Sequence, residues 1–188
     1  MFAKGMNNND RVYKTRKEGV EHSTEYLFIS RGHTDIVKVV QYQYIGKLDS
    51  KPIFNLGFGN YDRDTTQIRD DIISNNGDVY VVFNTVLSTI PEFFISNPGA
   101  IIMAQGSDSG IEFIENCRQT CNKNCQANCK KENRRITIYR EYINKNYGAL
   151  TKEYTFFGSS QFFQNRLSIE NYTPGKKYSS ILVAKNYS

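Results

Sequence analysis

Tryptophan is absent from this chain, and histidine occurs only twice, at His22 and His33. Neither histidine has a partner at metal-ligand spacing, so a histidine-based metal motif is excluded. There is no Ser/His/Asp order of the hydrolase kind and no glycine-rich phosphate loop. No reaction is therefore assigned by a motif, and whether the protein turns over a substrate is not legible. Long apolar runs are also missing: no stretch approaches the roughly 18 apolar residues that a bilayer span requires, and Met1 to Arg16 holds no apolar run ending in a cleavage site. Neither secretion nor membrane insertion is expected, and the cytoplasm is the compartment that follows. In that reducing setting the 4 cysteines are expected as thiols or metal ligands and not as a disulfide framework. Proline is scarce at 4 residues, while 39% of the chain is hydrophobic and 13% aromatic, so 188 residues suffice for one domain with a real core. The abundance of tyrosine reads as compositional bias.

Charge is present but unevenly placed. Between Glu115 and Arg140 seven cations (Arg118, Lys123, Lys130, Lys131, Arg134, Arg135, Arg140) face two anions (Glu115, Glu132), a surplus that equals the whole net charge of +5. Such a segment attracts phosphates or polyanions, or it forms a solvated helix face.

Residues 1–23 are polar, with Asn7, Asn8 and Asn9 in a row, and read as a loose arm before a single domain over 24–188. Tyr26 to Ser30 and Ile36 to Ile45 are rich in β-branched and aromatic residues and predict two strands joined as a hairpin. Phe54, Leu56 and Phe58 alternate in a third, whose Gly57 and Gly59 mark a bulge or a close backbone approach. Asp70 to Ile73 predicts a fourth, ending in the turn Ser74 to Gly77. Asp78 then reads as an N-cap, followed by Val79, Val82, Phe83, Val86, Leu87, Ile90, Phe93 and Phe94 at helical spacing. Pro91 predicts a kink or break there, and Asn97-Pro98-Gly99 a stop. Ala100 to Ala104 is wholly apolar, as a covered strand would be. Arg135 to Tyr147 predicts an amphipathic helix with Ile136, Tyr139, Ile143 and Tyr147 on one face and Gly148 as its cap. Tyr154 to Phe157 and Ser180 to Ala184 are the last strands. The fold class is α+β: a single mixed, mostly antiparallel sheet of about seven strands, in the order ββββ-α-β-α-ββ, backed by two main helices and carrying a helical cysteine-bearing insertion at about 109–133.

The run F-N-L-G-F-G-N-Y-D (Phe54 to Asp62), the S-N-N-G-D turn (Ser74 to Asp78), the G-S pair (Gly106, Ser107) and R-x-x-x-Y-R (Arg135 to Arg140) are similar to landmarks of a bacterial family known only as a domain of unknown function. The resemblance covers roughly Tyr26 to Lys185. In that family the segment after the central strand resembles an uninterrupted G-S-T-P-A-R-T-R-L-Y-R. Here Asp108 stands for the threonine, Thr137 for the middle arginine, and about two dozen residues with all four cysteines divide the halves. The resemblance implies the fold and supplies no activity. The order of elements is also similar to that of Gcn5-related acetyltransferases, whose turn offers backbone N–H groups to the pyrophosphate of coenzyme A. In that comparison Asn76 and Gly77 hold the phosphate-binding place, with Asp78 opposing an anion.

Cys117, Cys121, Cys125 and Cys129 form C-x3-C-x3-C-x3-C. Neighbours share a helix face and suit a soft ion such as Zn²⁺ or Cu(I), but on one straight helix the outer pair lies about 18 Å apart, so four ligands close on one ion only if the segment bends or two chains combine. Free thiols, a metal site and disulfides all stay open. Ser107, Arg135 and Arg140, with Asn76 and Gly77, are the candidate ligand-binding residues, since arginine forks bind phosphate in bidentate fashion. The bland alternative is that Arg140 pairs with Glu141 or Glu153 and packs its stem. Three functions remain: a binding protein for a nucleotide or nucleic acid, a degenerate acyl-CoA-dependent acyltransferase, and an interaction protein that dimerises through the cysteine segment.

Overall fold

The computed structural model describes residues 11–20, 23–62, 65, 67–69, 76–106, 108–109, 111–120, 125, 129–160 and 169–187. The chain is α+β, with nine strands and three helices among these residues and strand pairing that is mostly antiparallel. It divides into two compact units, Met1–Ile102 and Met103–Ser188, with the strand β6 (Ile101–Gln105) at the boundary.

The first unit holds β1 (Arg16–Val20), β2 (Ser23–Ser30), β3 (Ile36–Leu48), β4 (Lys51–Asp62), the short β5 (Gln67–Arg69) and the helix α1 (Val79–Ser96). Each strand pairs antiparallel with the next. β1 lies within the segment that reads as a loose arm from sequence. β3 and β4 extend past their expected ends because Asp49 (φ 47°) and Ser50 (φ 67°) link Leu48 to Lys51 in two residues, with the positive φ angles that a hairpin turn matching the strand twist requires. Pro52 sits inside β4, opposite Lys47. Gly59 makes the close approach expected of it: a Cβ there would lie 2.8 Å from the Arg69 carbonyl oxygen on β5. The expected strand Asp70 to Ile73 lies outside the described residues.

Alternation directs Tyr26 and Phe28 of β2, Val40 and Tyr42 of β3, and Leu56 and Phe58 of β4 to one face. α1 covers that face. Tyr42 stacks on Phe93 at 4.1 Å, Phe54 meets Phe93 edge-on at 5.0 Å, and the Tyr42 and Thr89 hydroxyls are 2.8 Å apart. Val82, Val86, Leu87, Ile90, Phe93 and Phe94 are all buried. The helix runs unbroken through Pro91 and stops at Asn97, so packing on both sides of the proline outweighs the one backbone hydrogen bond it removes. Contrary to the sequence expectation, α1 is long and apolar enough to cross a membrane by length and composition, at 18 residues and a mean hydropathy of 1.4. Its buried residues, however, form a protein core.

The second unit holds α2 (Ile111–Thr120), α3 (Arg134–Leu150), β7 (Tyr154–Ser159), β8 (Ile169–Asn171) and β9 (Ser180–Lys185), with β7 between β8 and β9. Ile136, Ile143 and Leu150 are the buried side of α3. Gly148 is not its cap: the helix continues to Leu150, and Thr151 closes it with its hydroxyl and its N–H on the Tyr147 carbonyl, each at 2.9 Å. Gly158 is fixed by contact, since a Cβ would lie 2.3 Å from the ring of Tyr178, which is only 2% exposed.

Burial pushes the phenols of Tyr26, Tyr154 and Tyr172 from the ordinary value of 10.0 up to about 12. Because the folded values are raised, their contribution to stability is complete below pH 10 and is lost as pH rises through about 12. A spectrophotometric titration followed alongside circular dichroism should show the last phenolates appearing together with unfolding. Ionisation of all tyrosines near pH 10 with the fold intact would contradict this burial.

Candidate functional site

Strand register brings a lysine into the apolar face of the first unit. Phe28 of β2, Lys38 of β3 and Asn60 of β4 stand side by side on the surface that α1 covers. Lys38 is 5% exposed; its Nζ donates to Asn60 Oδ1 at 2.7 Å and lies 5.5 Å from the Phe58 ring centre. Desolvation lowers its pKa, and the charge of Asp78 works in the opposite direction. A charge-assisted bond to a neutral amide is the weaker kind of support for a buried ammonium, so loss of that one acceptor is costly. Asn60→Ala is expected to destabilise by about 3 kcal/mol, read as a fall in the urea midpoint, and Asn60→Asp to recover most of it by offering a carboxylate.

Next to this lysine the start of α1 is tied to both neighbouring segments. Asp78 is the residue before α1, but its side chain makes no cap bond. Instead Oδ2 accepts from Ser30 Oγ at 2.7 Å and from Tyr13 Oη at 2.8 Å. The Tyr13 N–H donates to Thr85 Oγ1 at 2.9 Å, and its ring stacks on Phe28 at 5.8 Å. Asn76 Nδ2 donates to the Thr34 carbonyl at 2.9 Å and to Ser30 Oγ at 3.0 Å. Gly32 gives that side chain room, for a Cβ there would be 2.6 Å from Asn76 Cβ. Gly77 supplies a positive φ of 73°. The Asn76 Nδ2 group and the Asp78 carboxylate are thus engaged with the protein itself.

In the second unit Ser107 lies outside the described residues, but its neighbours form a defined junction. The Asn133 N–H donates to the Asp108 carbonyl at 2.8 Å, and Asp108 Oδ2 accepts the Arg135 N–H at 3.0 Å. Asp108 therefore caps α3 from 27 residues upstream, while Asn133, in a left-handed conformation, makes no side-chain cap bond. Gly106 leaves room for this cap, because a Cβ would come 2.5 Å from Asp108 Oδ1 and displace the carboxylate. An acidic cap at this helix start opposes an anion at the same spot. Arg140 donates to the Tyr178 carbonyl at 3.3 Å and to Thr137 Oγ1 at 2.9 Å, so the guanidinium ties α3 to the chain before β9.

Cys117 lies on α2, and Cys129 Sγ donates to Cys117 Sγ at 3.3 Å. Cys125 Sγ accepts the Lys130 N–H at 3.3 Å, and Cys121 lies outside the described residues. Among the described residues no three Cys, His, Asp or Glu side chains are grouped to hold a metal ion. Arg118, Lys130 and Arg134 are exposed.

Comparison with protein families yields a match to residues 9–110, more than half of the chain. The chain belongs to DUF6934, a family of unknown function. No curated protein and no solved structure matches it. The DUF6934 match contains Lys38, Asn60, Asn76 and Asp78, so the Lys38–Asn60 bond and the Asp78 bond to Ser30 both lie inside it. It ends two residues after Asp108, and the cysteines and the R-x-x-x-Y-R of Arg135 to Arg140 lie beyond it. Sequence reading missed Lys38 as a member of the polar cluster beside α1. The signal was its parity with Val40 and Tyr42 on one strand face.

Proposed function

We propose that this protein is a bacterial, cytoplasmic binding module that engages nucleic acid through the basic segment from Arg118 to Arg135. The observation that carries the reading is the 3.3 Å approach of Cys117 and Cys129. Arg118 follows one of these residues and Lys130 the other, so the limb of α2 and the limb leading into α3 present their cations in one neighbourhood. Lys131, Arg134 and Arg135 extend it. Concentrated surface charge of this kind binds the phosphate backbone with little regard to sequence. The Gly106-Ser107 cleft and Arg140 recede in this reading, since Asp108 occupies the α3 start and Arg140 holds the Tyr178 carbonyl.

Salt tests it. If Arg118, Lys130, Lys131 and Arg134 each meet a phosphate, the logarithm of affinity for a single-stranded oligonucleotide should fall with the logarithm of salt at a slope of about −3. Reversing the charge of these four residues should abolish binding. An oligonucleotide that is not retained at about 0.1 M salt, or a slope near zero, removes the reading.

A further inference from the structure

We propose that Cys117 and Cys129 are a redox modification site, closing into a reversible intramolecular disulfide by exchange with a small-molecule disulfide of the glutathione class. Their sulfurs are already 3.3 Å apart, and bond formation at about 2.05 Å requires an approach of little more than 1 Å. The pair is not one that helical spacing would select, because every i, i+4 neighbour in the motif differs from it. Twelve positions on a single straight helix would hold its members about 18 Å apart, so their contact shows that no such helix carries both.

The two members differ in access, which sets the order of steps. Cys117 is 7% exposed, whereas Cys129 is half-buried and can meet a solute. The Cys129 thiolate attacks one sulfur of the small disulfide, forms a mixed disulfide and expels the first thiolate. Cys117, deprotonated in turn, attacks the Cys129 sulfur and expels the second. The two cysteine protons end on the two released thiols, and the two electrons lost by the cysteines reduce the sulfur–sulfur bond of the oxidant. Metal binding is the competing use of thiols at this spacing, but among the described residues no three Cys, His, Asp or Glu side chains are grouped to hold an ion.

The test takes the reduced full chain through mixtures of oxidised and reduced glutathione without air, blocks remaining thiols by alkylation and maps the products by mass. The expected product has lost the mass of two hydrogens and carries a Cys117–Cys129 crosslink. Cys125→Ser and Cys121→Ser should form it undiminished. Cys117→Ser should instead stall with glutathione attached to Cys129, the intermediate that its missing partner would have resolved. The proposal is overturned if the crosslink joins any other pair, if all four thiols stay reduced in fully oxidised glutathione, or if the chain purifies with a stoichiometric metal ion whose removal by chelator is needed before any thiol reacts.

Discussion

Val86→Asp should leave no cooperatively folded protein, while the same substitution at Val79 should leave the melting curve almost unchanged. Val86 is 2% exposed, midway along α1, between Val82 and Ile90 on its buried side. Replacing it removes about 1.5–3 kcal/mol of burial. It also buries a carboxylate on the apolar side of the helix, beside Val82 and Ile90, at a cost of several kcal/mol. Together these approach the whole stability of a typical domain, about 5–15 kcal/mol. Val79 is 63% exposed in the first turn, where an acid faces the positive end of the helix and gains a few tenths of a kcal/mol. Thermal and urea unfolding followed by circular dichroism distinguish the pair. A soluble Val86→Asp protein with a sharp transition would mean that the buried side of α1 is assigned to the wrong residues.

Replacing residues 109–132 by two glycines should preserve the fold and eliminate oligonucleotide binding. The Asn133 N–H bond to the Asp108 carbonyl, at 2.8 Å, is the bond that closes a four-residue turn, so two residues can take the place of the entire excursion between them. Asp108, Asn133 and Arg135 all remain, and with them the cap of α3. The shortened chain loses Arg118, Lys123, Lys130 and Lys131 together with every cysteine. Affinity for an oligonucleotide is expected to drop by at least two orders of magnitude at low salt, with the thermal midpoint nearly unchanged. If the shortened chain cannot fold, the segment belongs to the architecture and is not an addition to it. If it folds and still binds, the basic segment is not the site.

The helices were legible from sequence because each carries its own evidence: Val82, Val86 and Ile90, or Ile136 and Ile143, repeat with the turn of a helix regardless of what they pack against. The stop at Asn97 was legible, whereas α1 is not broken at Pro91 and α3 does not end at Gly148, because packing prevailed there. Strand β1 was invisible since R-K-E-G-V has no apolar alternation, and its order comes from the ladder with β2. The β3–β4 turn was missed because Asp-Ser is not the usual sequence for two consecutive positive φ angles. The site was harder still. Lys38 and Asn60 are 22 residues apart and Asp108 and Arg135 27 apart, and only the folded chain brings them within a hydrogen bond. The 18 Å separation inferred for the outer cysteines assumed one straight helix. The 3.3 Å approach of Cys117 and Cys129 removes that assumption.

β1 also bears on how this protein survives at high concentration. Among the described residues it terminates the strand order of its unit, so its outer edge offers backbone donors and acceptors against which a second chain could stack. Arg16 and Lys17 on that strand are exposed, and Glu18 forms an ion pair with Arg16. Adding a foreign strand there would force these charges out of water or against their counterparts on the incoming chain. The polarity that hides β1 from a reader of the sequence is thus its protection against fibre growth, and a chain with apolar residues at Arg16 and Glu18 would be the one to clump.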